Sequence, residues 1–242
     1  MNIQYPKTPE NTRVYAIGDI HGRLDLFDHL LGRIEKDARD NPGLHKILVM
    51  LGDYIDRGPD SRGVLQRLVD LRNGRVLCGF EIHLLKGNHE DSMMSFLANA
   101  EKLTWLGCGG DQALISYGLD PKQNPKALSA ALLYSLPKAH REILRSLTFC
   151  VTVGDYAFVH AGVRPGIAFV DQDPNDLVWI RAAFLDSKKN HGHMIIHGHS
   201  PTKDPAVRPN RIGIDTEAWA SGKLTCLVLQ DCEQRFINTE AG

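Results

Sequence analysis

Five short apolar segments, each followed by a polar, glycine-containing turn, constrain the fold of this chain most. They are VYAI before GDIHG, ILVML before GDYIDRG, IHLL before KGNHE, YAFV before HAG, and MII before HGHS. Runs of β-branched and large aliphatic residues suit strands that are covered on both faces. Apolar positions at helical spacing follow the first two turns, starting at Leu24 and at Val64. The pattern predicts an α/β protein with its polar groups at strand ends, where open α/β sheets bind ligands.

The bulk composition predicts one large domain spanning residues 1–242. Hydrophobic residues make up 43% of the chain and the formal net charge is −1. Because no run of Lys or Arg is present, neither nucleic acid nor an anionic membrane is an expected partner. No apolar stretch approaches the roughly 20 residues that span a bilayer. The opening MNIQYPKTPENTR lacks the apolar core of a signal peptide, so a cytoplasmic location is expected.

Residues from about 91 to 147 differ from the rest because they carry none of these turns. The stretch LSAALLYSLPKAHREILRSL contains two amphipathic patterns, which predict two helices. Pro137 between them suits the first turn of the second helix. We expect this mainly helical segment to pack beside the core or to shape a cleft, and a purely structural role is favoured.

The first two turns bring carboxylates to strand ends. Asp19 and His21 are two residues apart, so on an extended chain their side chains point to the same side. Carboxylate plus imidazole suits a divalent transition metal, although Asp19 could instead cap the following helix. Asp53 follows a strand and a glycine as Asp19 does, and Asp56 and Arg57 lie further into that turn. A local Asp56–Arg57 ion pair is the simpler interpretation of these two residues alone.

The remaining three turns add neutral ligands. Asn88 could bind a metal through its amide oxygen, and His89 could be a ligand or a general acid. His160, taken alone, is more typical of a hydrogen-bonded structural histidine. His197 and His199 suit one ligand and one orienting partner, in an order that spacing does not reveal. The joint occurrence of all five turns at strand ends favours a metal site over these separate interpretations.

In their order and spelling these motifs resemble those of the phosphoprotein phosphatases, a branch of the calcineurin-like metallophosphoesterases. GDIHG, GDYIDRG, LLKGNHE, HAG and HGHSP run from Gly18 to Pro201. HAG and HGHS stand where eukaryotic members carry HGG and RAH, so the chain is more similar to the bacterial and bacteriophage serine/threonine phosphatases. The resemblance implies a central β-sandwich flanked by helices, with the active site at the C-terminal ends of strands. One departure is DTE at Asp215–Glu217, where DTG is expected, and it bears on loop shape or substrate choice.

The resemblance also implies a role for each matching residue. Two divalent ions are expected, with Mn²⁺ preferred and Fe, Zn or Co as alternatives. Their implied ligands are Asp19 and His21 for the first ion, Asn88, His160 and His199 for the second, and Asp53 as the bridge. The second histidine of HGHS is therefore the ligand, which leaves His197 as an orienting neighbour.

The same comparison of motifs assigns the substrate-handling residues. His89 and Asp56 match the acid pair, Arg57 matches a phosphate-binding arginine, and Arg181 in LVWIRAAF is the best candidate for a second one. The implied activity is hydrolysis of phosphoserine and phosphothreonine in proteins or peptides, with dual specificity and small phosphoesters left open. A bis(5'-nucleosyl)-tetraphosphatase is one alternative. A non-catalytic, metal-containing module that binds phosphoproteins is another.

Overall fold

A computed structural model of the protein describes residues 5–240. The first of its two sheets has five strands. Three of them are parallel neighbours: β1 (Thr12–Ile17), β2 (His45–Met50) and β3 (Glu81–Leu84). On the other side of β1, two antiparallel strands complete the sheet, β9 (Thr225–Gln230) and then β10 (Glu233–Asn238) at the edge. The predicted strands in VYAI, ILVML and IHLL are confirmed as β1 to β3.

The second sheet also has five strands, in the order β4-β5-β6-β8-β7. Its three central strands are parallel: β5 (Tyr156–Val159), β6 (Met194–His197) and β8 (Arg211–Gly213). The two edges, β4 (Cys150–Val153) and β7 (Ala206–Arg208), are antiparallel to their neighbours. The predicted strands in YAFV and MII are confirmed as β5 and β6.

The two sheets face each other across an apolar core. Because side chains alternate along a strand, Val14 and Ala16 of β1 enter this core, whereas Tyr15 and Ile17 point to the outer face. The second sheet contributes Phe158 to the same core. Each outer face is then covered by helices, so the chain forms the expected α/β architecture, a central β-sandwich flanked by helices.

Helices α1 (Leu24–Asp40) and α2 (Ser61–Arg72) cover the outer face of the first sheet, as predicted from the spacing after the first two turns. The carboxylate of Asp60 accepts a hydrogen bond from the backbone N–H of Gly63 at 2.7 Å and caps α2. Within residues 5–240 no helix is both long and apolar enough to cross a membrane.

The remaining helices are shorter, and the predicted helical segment supplies four of them. These four are α3 (Asn88–Ala98), α4 (Asp111–Ser116), α5 (Pro125–Ser135) and α6 (Lys138–Ser146). Pro137 precedes α6 rather than lying in its first turn, because its ψ of 149° is extended. Later in the chain come α7 (Pro174–Trp179), α8 (Ala182–Leu185) and α9 (Ala218–Ser221).

Candidate active site

The turns after the parallel strands of both sheets meet at one cavity of about 680 Å³. The first sheet lines it with the turns after β1, β2 and β3, and the second sheet with those after β6 and β8. His160, directly after β5, does not line the cavity but lies 3.4 Å from the Asp53 carboxylate, which does. All six predicted metal ligands are buried here: Asp19, His21, Asp53, Asn88, His160 and His199. The site is therefore built between the two sheets and joins distant parts of the chain, such as Asp19 and His199, which are in contact although 180 positions apart.

Unusual backbone conformations concentrate in these turns. Nine non-glycine residues of the described chain have positive φ, and six of them belong to the site: His21, Asp53, Asp56, Arg57, His199 and Glu217. Each such residue costs on the order of 1–3 kcal/mol, and such strain is typical of functional sites, where the surroundings enforce it. These turns are therefore held in place at a cost in stability.

Glu90 holds two of the turns together. Its carboxylate accepts hydrogen bonds from the backbone N–H groups of Gly87 at 2.9 Å, Asp53 at 2.9 Å and Tyr54 at 2.8 Å. The backbones approach so closely that a Cβ on Gly52 would lie 2.5 Å from the Gly87 nitrogen. This buried carboxylate fixes Asp53 relative to the start of α3, where Asn88 and His89 lie.

His21 and His160 each direct a nitrogen lone pair towards the Asp53 carboxylate. Backbone carbonyls fix their orientation, since Nδ1 of His21 lies 2.9 Å from the Ile55 oxygen and Nδ1 of His160 lies 2.9 Å from that of Leu51. Burial lowers the pKa of both rings, that of His21 to about 3, so each ring is neutral and has a single N–H. With that N–H donated to the carbonyl, Nε2 faces Asp53 at 3.5 Å from His21 and 3.4 Å from His160.

The side-chain amide of Asn88 lies between His160 and His199. Its Oδ1 lies 2.9 Å from Nε2 of His160 and 2.8 Å from Nδ1 of His199. The other nitrogen of His199, Nε2, is buried without a hydrogen-bond partner in the described chain. Burial lowers the pKa of His199 as well, so this ring is also a neutral donor of lone pairs.

Buried negative charge completes the case for bound cations. Asp19, Asp53 and Asp215 line the same cavity, and burial together with the charges of Asp215 and Asp53 raises the pKa of Asp19 well above its usual range. Such clusters are costly unless a cation neutralises them. Two sets of donor atoms, each within 4.8 Å, share Asp53: one adds His21 and His89, the other His160 and His199. This arrangement of nitrogen and carboxylate donors fits divalent metal ions.

His89 differs from the other site histidines because one of its ring nitrogens is hydrogen-bonded to a carboxylate. Its Nδ1 lies 2.7 Å from Oδ2 of Asp56, and the indole Nε1 of Trp105 donates to both Asp56 oxygens at 3.0 and 2.9 Å. Burial alone would lower the pKa of His89, but Asp53 and Asp56 outweigh it and raise that pKa. His89 is thus disposed to carry a proton, whereas His21, His160 and His199 are not.

Known protein families and relatives that resemble this chain indicate its family. The family model described as calcineurin-like phosphoesterase matches residues 12–224. This chain belongs to the calcineurin-like phosphoesterases. Serine/threonine-protein phosphatase 1 of Salmonella typhimurium is 37% identical over 222 residues, which cover 90% of this chain and 92% of the relative. The symmetrical bis(5'-nucleosyl)-tetraphosphatase of Nitrosospira multiformis is 25% identical, over 95% of this chain and 96% of its own length.

Solved structures agree on the fold of this phosphoesterase. A putative diadenosine tetraphosphatase superposes with a TM-score of 0.63 at 20% identity, covering 98% of this chain and all of that one. The Salmonella relative confirms the resemblance to the bacterial type of phosphoprotein phosphatase. The phosphoesterase is therefore a hydrolytic enzyme of a family that uses divalent metals, and it carries His/Asp clusters able to hold them.

The predicted phosphate-binding arginines both line the cavity of the phosphoesterase. Arg57 is exposed, and one guanidinium nitrogen lies 3.4 Å from Nε2 of His89. Its Cζ also lies 5.6 Å from the ring centroid of Trp219, a cation–π distance. Arg181, at the start of α8, is exposed as well. His197 packs edge-on against Phe184 and does not line the cavity, so its orienting role stays a prediction.

Several residues that shape the phosphoesterase site had no assigned role in the sequence. Trp105 and the carbonyl of Gly109, which accepts from the Arg57 N–H at 3.1 Å, lie inside the segment 91–147. This segment therefore helps to shape the cleft, one of the two roles expected for it, because it lines part of the cavity and supports the turn that carries Asp56 and Arg57. Glu90 and Asp215 lie in recognised motifs and Trp219 follows one of them, but the contacts of all three depend on the tertiary structure.

Proposed function

We propose that this phosphoesterase is a serine/threonine protein phosphatase with a dinuclear metal centre and a protonated His89 as its general acid. The observation that carries the proposal is the buried His89–Asp56 pair beside two donor clusters that share Asp53. The Salmonella relative supports phosphorylated proteins as the substrate class. Mn²⁺ is the preferred metal, with Fe, Zn or Co as alternatives, and the cytoplasm is the expected location.

Opposite shifts in the pKa values of the histidines support separate roles. We assign one ion to Asp19 and His21, the other to Asn88, His160 and His199, and the bridge to Asp53. Although Nε2 of His89 lies 3.8 Å from Asp53, a protonated imidazole cannot be a metal ligand. The raised pKa of His89, against the lowered pKa values of the other three, is the pattern that separates acids from other groups in active sites.

The proposed reaction is hydrolysis of a phosphomonoester. When bound, the two cations supply Lewis acidity and a water of lowered pKa. Arg57 and Arg181 bind the phosphoryl oxygens, for which paired guanidinium donors are well suited. His89 gives the proton on Nε2 to the leaving alkoxide of serine or threonine, while Asp56 holds the Nδ1–H and stabilises the imidazolium.

Replacing His89 by Asn tests the acid assignment. The variant lacks the proton donor, so kcat/KM for a phosphoserine peptide should fall by about 10²- to 10⁴-fold. The fall should be much smaller for p-nitrophenyl phosphate, because nitrophenolate leaves without protonation. Metal content should stay near that of the wild type. His29→Asn, at an exposed histidine of α1, is the matched control, and full activity of His89→Asn on the peptide would exclude the acid role.

The second candidate is a dinucleoside polyphosphate hydrolase, which the relative from Nitrosospira multiformis favours. Here the leaving group is a phosphate, so a general acid contributes less. The deciding measurement is kcat/KM of the Mn²⁺-loaded enzyme for a phosphoserine peptide and for diadenosine tetraphosphate in one assay. A preference for the nucleotide would replace the proposed function. Loss of both activities with EDTA and recovery with Mn²⁺ would support the metal centre in either case.

A further inference from the structure

Glu217 has a strained backbone and no part in the chemistry described above. Its φ is 55° and its ψ is 45°, in the left-handed region that favours glycine. Of the six site residues with positive φ, the other five are predicted ligands, members of the acid pair or a phosphate-binding arginine. A glycine would relieve the strain here. The resemblance to the phosphoprotein phosphatases likewise leads one to expect DTG, with glycine at position 217. The presence of a glutamate therefore calls for a function of its side chain.

Local hydrogen bonds hold the backbone of Glu217 in this conformation. The N–H of Glu217 donates to Oδ1 of Asp215 at 2.9 Å, and its carbonyl accepts from the N–H groups of Ala220 and Ser221. The side chain is exposed, lines the active-site cavity and provides no hydrogen bond that caps α9. Across residues 5–240 its carboxylate has neither a hydrogen bond nor an ion pair. It is a free negative charge at the rim of a phosphate-binding cavity.

The Glu217 carboxylate at the rim is negatively charged, as a phosphate is, so it does not help to bind one. Arg57 and Arg181 line the same cavity and attract the phosphoryl group, whereas Glu217 repels a second phosphate nearby. A lysine or arginine side chain on the substrate would instead be attracted. We infer that Glu217 makes the rim a subsite for a basic residue next to the phosphorylated one, and that it disfavours polyphosphates. This inference rests on the proposed phosphatase function and names its preferred substrates.

Three phosphoserine peptides that differ only in flanking Arg, Ala or Glu residues test the inference. The readout is the ratio of kcat/KM for the Arg peptide over the Glu peptide in one enzyme preparation, which cancels differences in metal loading. The wild type should prefer Arg by roughly three- to tenfold, because an attraction and a repulsion between exposed charges both contribute. The preference should come from a lower KM for the Arg peptide than for the Glu peptide, and it should decrease at high salt.

Variants at position 217 separate the charge from the backbone. Glu217→Gln keeps the strained backbone and removes the charge, so the ratio should approach one, and Glu217→Lys should invert it. Glu217→Gly should also give a ratio near one and should raise Tm by about 2–4 °C, since glycine adopts positive φ at little cost. Glu233→Gln, at an exposed glutamate of edge strand β10 outside the cavity, is the matched control and should keep the wild-type ratio.

The outcomes distinguish the inference from the proposed function. A wild-type ratio of one, or a preference that survives in Glu217→Gln, would overturn the subsite while leaving the phosphatase intact. No hydrolysis of any of the peptides by an enzyme that hydrolyses diadenosine tetraphosphate would overturn both. A preference that disappears in Glu217→Gln and inverts in Glu217→Lys would establish the subsite.

Discussion

The buried centre and the exposed rim of the active-site cavity are held in different ways. In the centre, Asp56 is bound by His89 and by the Trp105 indole, and His21 is oriented by the Ile55 carbonyl at 2.9 Å. At the rim, the Arg57 guanidinium rests on the Trp219 ring, and the Glu217 carboxylate is unpaired in the described chain. Buried hydrogen bonds thus hold the side chains of the centre, whereas exposed side chains with fewer contacts form the rim.

Among the three substitutions that compare the centre with the rim, the largest effect is expected from Asp53→Asn, which removes the carboxylate shared by both clusters. Without the bridging charge, the two ions should bind weakly, and kcat/KM should fall by about 10³-fold, or about 4 kcal/mol of transition-state stabilisation. Metal content measured by elemental analysis should fall together with activity. Asp155→Asn, outside the cavity, is a control. Retention of both metals with full activity would remove Asp53 from the centre.

Trp105→Phe tests whether the surroundings of the centre tune its chemistry. The variant keeps the aromatic packing on Phe96 but removes the only side-chain donor to Oδ1 of Asp56 among residues 5–240. A lost hydrogen bond to a charged group corresponds to roughly tenfold in kcat/KM. Burial already raises the pKa of Asp56 to about 6, and His89 and Trp105 oppose that rise. Losing Trp105 should therefore raise this pKa further.

The direction of the resulting pH dependence follows from the protonation state of Asp56 that the proposed mechanism requires. In the proposed mechanism, activity requires an ionised Asp56, which is present above its pKa and is lost as the pH falls through it. The acidic limb of the kcat/KM profile should therefore move to higher pH in Trp105→Phe. The variant should lose more activity at pH 6 than at pH 8. A uniform loss across the profile would mean that Trp105 only fills space.

The centre was predictable from the sequence because its residues directly follow strands that are apolar enough to recognise. Asp19, Asp53 and His160 each come within three residues of the end of a parallel strand, and the ends of parallel strands are where α/β sheets bind ligands. Strands β7 and β8 were missed because each has three residues, and β9 because no polar turn of the site follows it.

The contacts that hold the centre were not predictable, because they join residues far apart in the chain. Trp105 reaches Asp56 across 49 positions, and Glu90 reaches the Asp53 backbone across 37. Nothing in the spacing of either residue indicates these partners. Likewise, the departure at Glu217 was visible in the sequence, but its left-handed backbone and unpaired side chain require the structure.

The smallest effect is expected at the rim, from Trp219→Leu. Loss of the ring beneath Arg57 removes a cation–π contact of about 0.5–1 kcal/mol, so KM should rise about two- to fivefold. The inhibition constant of inorganic phosphate should rise by a similar factor, while kcat changes little. Trp219→Phe retains an aromatic face and should recover most of the affinity. A loss of kcat as large as that of Trp105→Phe would show that the rim, like the centre, is part of the preorganised chemistry.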